Sequence, residues 1–293
     1  MNYVMGIDGG GSLMRVVVVD AGLTFVGSAE GGSANPNSAG REAAVLTIHT
    51  TIRQALAQAR LSASQITAVG VGIAGTIMLH DWVRETVSAV LPDAILRIAS
   101  DFEIALVGAR GERKGVLILA GTGSVAFGVN ASGESAQVGG WGYLLGDEGS
   151  GYWLGLKTLQ AVVRAADGRG QPTRLTDILL SALHLSSPQE LIQWVYASGR
   201  TREIAQLAPL VLSLENDAVG QAIIDDCAAE LVLLGRTVVR RLNIDDPSYA
   251  LSGGLLSEAN PLSEKVCAAL GLASIPVPRY SPVIGAALLA LTP

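Results

Sequence analysis

The stretch Tyr3-Val-Met-Gly-Ile-Asp8-Gly9-Gly10-Gly11-Ser12-Leu-Met-Arg15-Val-Val-Val-Val19-Asp20 decides how the rest of the sequence is read. An apolar run ends in an aspartate and three glycines, and a second apolar run follows at once. The second run is rich in β-branched valine, which predicts a strand rather than a helix. The unit is therefore strand, glycine turn, strand. Glycines at such a tip allow positive φ and bring backbone N–H groups close to an anion, as a phosphate cradle requires. The Asp8 carboxylate suits Mg2+, held directly or through water. The same pattern also serves as an ordinary glycine hairpin with a surface aspartate. Two commoner phosphate loops are excluded. A P-loop needs a lysine after its glycines, and a dinucleotide fingerprint continues into a helix rather than a strand.

The chain has 293 residues, more than one typical core, which suits two domains. Nearly half the residues are hydrophobic, few are aromatic and glycine is plentiful, the composition of an α/β protein with many strand-to-loop turns. A net charge of −6 without a Lys/Arg cluster argues against nucleic acid as a partner. Cys227 and Cys267 lie far apart, without C-x-x-C spacing, as buried thiols in a reducing cytosol would. The sequence starts directly in a strand, so no signal peptide is expected, and no apolar run reaches the ~18–20 residues of a membrane span. A cytoplasmic protein is expected.

Further along, Gly27 to Ser38 reads as a Gly/Ser/Asn-rich loop, either a polar-ligand loop or a flexible turn. Arg41–Ala59 has a helical stripe of Ala44, Ile48, Ile52, Leu56 and Ala59. Ile66 to Gly75 reads as a buried strand ending in glycine. Ala94 to Ser100 is a strand running into Asp101, with a helix from about Phe102 to Ala109. Asp101 thus stands at the carboxyl end of a strand, where ligands bind in α/β sheets. It serves there either as a helix N-cap or as a general base for a hydroxyl.

Residues 115–129 repeat the opening pattern, with Gly121-Thr122-Gly123-Ser124 at the tip. Two such hairpins suggest a duplicated unit, each half giving one phosphate-facing loop. The segment Gly139-Gly140-Trp141-Gly142-Tyr143-Leu-Leu-Gly146-Asp147-Glu148-Gly149-Ser150-Gly151-Tyr152-Trp153 leaves too much backbone flexible for a core. Its aromatics and carboxylates suit a ligand loop. A helix follows to about Ala166, and residues 173–243 are largely helical, with Ile224, Cys227, Leu231, Leu234, Val238 and Leu242 on one stripe. Tyr249 to Ser252 is a strand followed by Gly253 and Gly254 opening a helix, and Pro282 to Leu291 is a closing helix with a small-residue face. The three histidines are scattered and support neither a histidine metal site nor a triad.

In this order the segments resemble the sugar-kinase, hexokinase, actin and heat-shock ATPase superfamily. Within it the sequence is similar to the BadF/BadG/BcrA/BcrD ATPase family, in particular its N-acetylglucosamine kinases, through the signature-like stretch from Gly139 to Trp153. The resemblance implies an α/β fold of two ribonuclease H-like (actin-like ATPase) domains with a central interdomain cleft. Their expected extents are 1–114, closed by the C-terminal helix 282–293, and 115–281. It implies Mg-ATP as cofactor, an amino sugar as partner and a homodimer. Asp8 is the expected metal residue. Gly9, Gly10, Gly11, Ser12, Arg15, Gly121, Thr122, Gly123, Ser124, Gly253 and Gly254 are expected at ATP. Asn35, Thr122, Gly139, Gly140, Trp141 and Asp147 are expected at the sugar, with Asp101 as catalytic base. Phe102 and Glu103 depart from the small residues usual after that aspartate. The loop Thr76-Ile77-Met78 lacks a clear polar match and has no assigned role. The implied activity is phosphorylation of N-acetylglucosamine at O6, with a glucosamine kinase, a non-kinase ATPase of the dehydratase-activator type or a sugar sensor without turnover as alternatives.

Overall fold

A computed structural model of the chain describes residues 3–76, 78–197 and 201–292. Ile77, on the loop after Gly75, and Pro293, at the end of the expected closing helix, lie outside the described residues. The chain divides into two compact α/β units. One comprises Met1–Gly115, Val129–Gly133 and Val277–Pro293, and the other Val116–Gly128 and Glu134–Pro276.

The first unit opens with β1 (Tyr3–Gly9), β2 (Met14–Asp20) and β3 (Phe25–Gly31), followed by the short α1 (Pro36–Ala39) and the long α2 (Arg41–Ala59). Then come β4 (Ile66–Ile73), α3 (His80–Ser88), β5 (Ile95–Ala99) and α4 (Asp101–Arg110). Its sheet has the order β3-β2-β1-β4-β5. β1 runs parallel to β4 and β4 to β5, while β2 is antiparallel to both β1 and β3. The ends of β1, β3, β4 and β5 therefore share one edge of the sheet. Alternation along β1 and β2 sends Met5, Ile7, Met14, Val16 and Val18 to a core with Ile48 and Ile52 of α2 and Val83 and Val87 of α3. Val4, Val17 and Val19 pack on the opposite face. Each such side chain is worth about 1.5–3 kcal/mol on burial.

The opposite face is covered by the last helix, α12 (Pro282–Leu291), which the second unit's elements separate in sequence from the rest. Its small residues Ala286, Ala287 and Ala290 are buried. The packing is backbone on backbone. A Cβ on Gly6 would lie 2.1 Å from the carbonyl of Val283, and one on Gly70 only 1.7 Å from that of Ala286. On the helix side, a Cβ on Gly285 would lie 2.0 Å from the carbonyl of Ile104 in α4. The approach to this helix is pinned by Arg279 N–H on Ala109 O (2.9 Å) and Tyr280 N–H on Gly108 O (2.8 Å).

The second unit contains β6 (Gly115–Ala120), β7 (Ser124–Val129) and β8 (Ser135–Gly139), then α5 (Gly151–Ala166) and α6 (Leu175–Leu183). It continues with α7 (Leu191–Tyr196), α8 (Thr201–Ala205), α9 (Ala208–Leu212) and α10 (Ala218–Arg241), and ends with β9 (Tyr249–Ser252) and α11 (Pro261–Leu270). The sheet order is β8-β7-β6-β9, with β6 and β9 parallel. The α10 stripe Ile224, Cys227, Leu231, Leu234, Val238 and Leu242 is buried in this unit's core.

Two expectations are corrected. Gly27 to Gly31 is not loop but the end of β3, paired with β2. These glycines are bare because α2 lies close: a Cβ on Gly27 would meet the Ala59 backbone at 2.8 Å, and one on Gly31 the Thr51 hydroxyl. Gly253 and Gly254 do not open a regular helix. They form a turn closed by Leu256 and Ser257 N–H on Gly253 O, and α11 starts only at Pro261, capped by Asn260.

Gly70→Ala is expected to lower stability by about 2–3 kcal/mol, because no backbone shift of a rigid strand accommodates the new methyl. Gly32→Ala, with open space around it, stays within about 0.5 kcal/mol. Urea midpoints of the two variants check the difference.

Candidate active site

In the first unit the functional candidates collect on the shared strand edge. Asp8 is the penultimate residue of β1, and Asp101 follows the end of β5 two strands away, on the order of 10 Å at ordinary strand spacing. Burial pushes the Asp8 carboxyl up to about 6, with Arg15 opposing the rise and Asp101 adding to it. Burial likewise raises Asp101, and backbone N–H groups of Asp101 and Phe102 partly offset the effect.

Asp101 is not the helix N-cap. Ser100 takes that place, accepting the N–H of Glu103 at 3.1 Å, and Asp101 is the first helical residue. A carboxylate there has favourable interaction with the helix N-terminus without being consumed as the cap. The Ser-x-x-Glu spacing Ser100 to Glu103 was the sequence signal for this. The two unusual neighbours of Asp101 turn elsewhere: Phe102 is buried, and Glu103 pairs with Arg113 at 2.6 Å.

Around Asp8 the glycine tip behaves as a turn with exposed backbone. Gly10 N–H reaches Leu13 O at 2.8 Å, Ala74 N–H reaches Gly9 O at 2.7 Å, and Gly11 and Ser12 are exposed. Arg15 stands opposite Asp8 in the register on one side and opposite Glu30 on the other, and its Nε meets Glu30 at 3.1 Å. Glu30 was not singled out from sequence, because only the strand register brings it there. Asn35 caps α1, its Oδ1 accepting Asn37 N–H at 2.8 Å. Gly75 has φ +76°, and a Cβ there would crowd the amides of Asn35 and Asn37. Asn37 Nδ2 donates to Gly75 O at 3.1 Å. Asp8, the Gly9–Ser12 tip, Asn35 and Asp101 thus lie along one edge.

In the second unit the corresponding edge carries the other expected residues. The tip Gly121–Ser124 closes with Gly121 N–H on Gly123 O at 2.9 Å, and Thr122 is exposed. Gly253, at φ +86°, lies against the end of β6, where a Cβ would stand 2.3 Å from Ala120 O. Gly121 and Gly254 have open space where a side chain would be. This is bare backbone beside bare backbone, suited to an anion or a flat ring. Gly139, Gly140 and Gly142 all have positive φ, and Trp141 is 74% exposed. Burial raises the Asp147 carboxyl, with the Ser124 N–H opposing it most strongly. Helix α5 is capped by the buried Ser150, which accepts Trp153 N–H at 3.1 Å.

Among the described residues, no group of three His, Cys, Asp or Glu is placed to hold a metal, and no helix is long and apolar enough to cross a membrane. Burial raises the thiols of both Cys227 and Cys267, the reverse of what an iron–sulfur ligand needs.

The chain is 33% identical over 278 residues, 90% of its length, to an N-acetylmuramic acid/N-acetylglucosamine kinase of Clostridium acetobutylicum, covering 89% of that protein. It is 30% identical to an N-acetyl-D-glucosamine kinase of Dictyostelium discoideum, over 98% of this chain and 97% of that one. The crystal structure of a candidate N-acetylglucosamine kinase from Chromobacterium violaceum superposes with a TM-score of 0.79 at 29% identity, covering 100% of this chain and 99% of that one. The family profile matches residues 5–290, and the chain belongs to the BadF/BadG/BcrA/BcrD ATPase family.

Proposed function

We propose that this protein is an ATP-dependent kinase that transfers the γ-phosphoryl group of ATP to a hydroxyl of an amino sugar, N-acetylglucosamine at O6 being the favoured acceptor. The observation that carries the reading is the pairing of two half-buried carboxylates, Asp8 and Asp101, both raised by desolvation, on one strand edge in a chain of this family. The amino-sugar kinases among its relatives support the acceptor class. A cytoplasmic homodimer is the form we expect.

Asp101 is the base in this reading. Phosphoryl transfer asks little covalent chemistry of a protein, so positioning and charge carry most of the rate. A carboxylate raised by burial is closer to the acceptor's needs than an exposed one, because its proton affinity approaches the working pH. Its location at the first turn of α4, with Ser100 serving as cap, leaves the carboxylate for the substrate hydroxyl. The backbone of Gly11–Ser12 and Thr122–Gly123 offers N–H groups to the phosphates, those of Gly10 and Gly121 closing the two turns. Gly253 and Gly254 offer bare backbone to the nucleoside. Asn35, Gly140 and Asp147 are the proposed sugar contacts.

Mg2+ fits the donor set, since one carboxylate with water and phosphate oxygens is its usual protein site. Asp8 would hold it. Two neighbouring carboxylates with only Arg15 opposing Asp8 also leave negative charge that a divalent ion offsets. When bound, the ion neutralises phosphate charge during transfer.

A coupled ADP-release assay with Mg-ATP tests the reading against N-acetylglucosamine, glucosamine, N-acetylmuramic acid and glucose. Turnover with an amino sugar and little with glucose is expected, and ADP release that ignores every sugar overturns the kinase assignment. Asp101→Asn is expected to lower kcat by two or more orders of magnitude with little change in ATP binding.

The charge on Asp8 has its own signature. Burial favours the protonated carboxyl, so the folded chain holds an extra proton between the ordinary carboxylate range and about pH 6. Wild-type stability accordingly falls as pH rises through that window. Without Mg2+ and nucleotide, Asp8→Asn is expected to match wild type near pH 4. Above pH 6 it should exceed wild type by on the order of 1–3 kcal/mol in urea unfolding. A difference that does not vary with pH would show that Asp8 is not buried as a charge.

A further inference from the structure

One residue ties the β6–β7 tip to the loop before α5. Ser124 is 3% exposed, and all three of its polar groups are spent on that loop. Its N–H donates to Asp147 Oδ1 at 3.3 Å, and its hydroxyl donates to Glu148 O at 2.7 Å. Its own carbonyl accepts the N–H of Gly140 at 3.0 Å. Ser124 therefore grips both ends of the segment Gly140–Glu148. Two backbone bonds complete the seam, Gly151 N–H on Gly121 O at 2.8 Å and Tyr152 N–H on Thr122 O at 3.2 Å.

The neighbouring glycine has the same purpose. A Cβ on Gly123 would stand 2.8 Å from Asp147 Oδ2, so Gly123 is bare to admit the Asp147 carboxylate. Asp147 itself sits at φ +60°, a conformation that a non-glycine residue keeps only when its surroundings hold it. The Cys227 thiol, 3.2 Å from Gly149 O, anchors the far side of the turn. With its hydroxyl donated to Glu148 O, Ser124 is not set up as a phosphate donor like its neighbours at the tip.

We propose that Ser124 is a positioning residue through which nucleotide and sugar binding reinforce each other. The inference rests on the kinase reading above, which puts phosphate at Gly121–Gly123 and sugar at Gly140 and Asp147. A phosphate that orders the hairpin fixes Ser124, and Ser124 fixes both ends of the sugar loop. Whichever ligand binds first then lowers the ordering cost of the second, and linkage makes the effect reciprocal.

Titration calorimetry with N-acetylglucosamine, alone and with a saturating non-hydrolysable Mg-ATP analogue, measures the coupling. In wild type the analogue is expected to tighten sugar binding about 5–50-fold, within the usual range of coupling. Ser124→Ala keeps the two main-chain bonds and loses the hydroxyl bond to Glu148 O, the one that holds the far end of the segment, and should reduce that factor to about twofold or less. Ser124→Thr, which keeps the hydroxyl, should restore it. A merely structural serine would lower the melting temperature of Ser124→Ala and leave the factor unchanged. That result, or a wild type that binds both ligands independently, overturns the proposal. Should Ser124→Ala fail to fold, Ser124→Cys, nearly the same size and a much weaker donor, carries the same expectation. A wild type that binds neither probe would count against the kinase reading instead. Hydrogen exchange then decides the tie itself. Amides of residues 147–150 should exchange at least about tenfold faster in the variant, with α10 unchanged, and equal exchange sinks the proposal.

Discussion

The first unit depends on one constraint, the direct contact of the α12 backbone with the backbones of β1, β4 and α4. Gly6, Gly70, Gly108 and Gly285 are the positions that make this approach possible, and a methyl at any of them would overlap main-chain atoms. Close main-chain contact has few degrees of freedom, since peptide planes cannot change rotamer as side chains do. The result is a fixed spacing between the β1 and β4 strands and α4. β1 carries Asp8 next to its end, β4 leads into Gly75, and α4 opens with Asp101. Precision at the carboxylates thus comes from the absence of side chains some distance beneath them.

The same absence explains how far the sequence could be read. Valine-rich runs broken by glycine tips announced the two hairpins, because β-branched periodicity and positive-φ turns are local signals. Glycine, however, marks close packing as well as turns. Gly27 and Gly31 looked like loop and are strand, because the reason for their bareness is a helix that arrives from residues 41–59. The Gly253–Gly254 pair is bare backbone beside a strand, as its sequence implies, but it opens a turn rather than a helix. For the candidate site, Asp8 and Asp101 were visible as residues at strand ends. The Arg15–Glu30 pair and the three bonds of Ser124 were not, since they exist only once strand register and distant loops are fixed.

Electrostatically the first unit carries unrelieved charge. Asp8 and Asp101 each raise the cost of ionising in a partly desolvated place, and Arg15, which faces Asp8, is shared with Glu30. Such an arrangement lowers the stability of the protein by itself and favours any cation that joins it. The second unit solves its own carboxylate differently. Asp147 is held by backbone N–H groups rather than by a countercharge, so its orientation is fixed while its charge is only partly screened. One unit stores charge, and the other stores geometry.

The position of α12 in the chain also bears on how the protein is made. The sheet of the first unit is translated early, yet the helix that covers one of its faces comes only after the whole second unit. Until then Val4, Val17 and Val19 and the bare strip of Gly6 and Gly70 have no partner on that face. The second unit, nearly continuous in sequence, is free to fold as it emerges. The first must wait for contacts of very high sequence separation, which are slow to form. An early-synthesised sheet is thus completed last, and one of its apolar faces stays without its covering helix while the second unit is made.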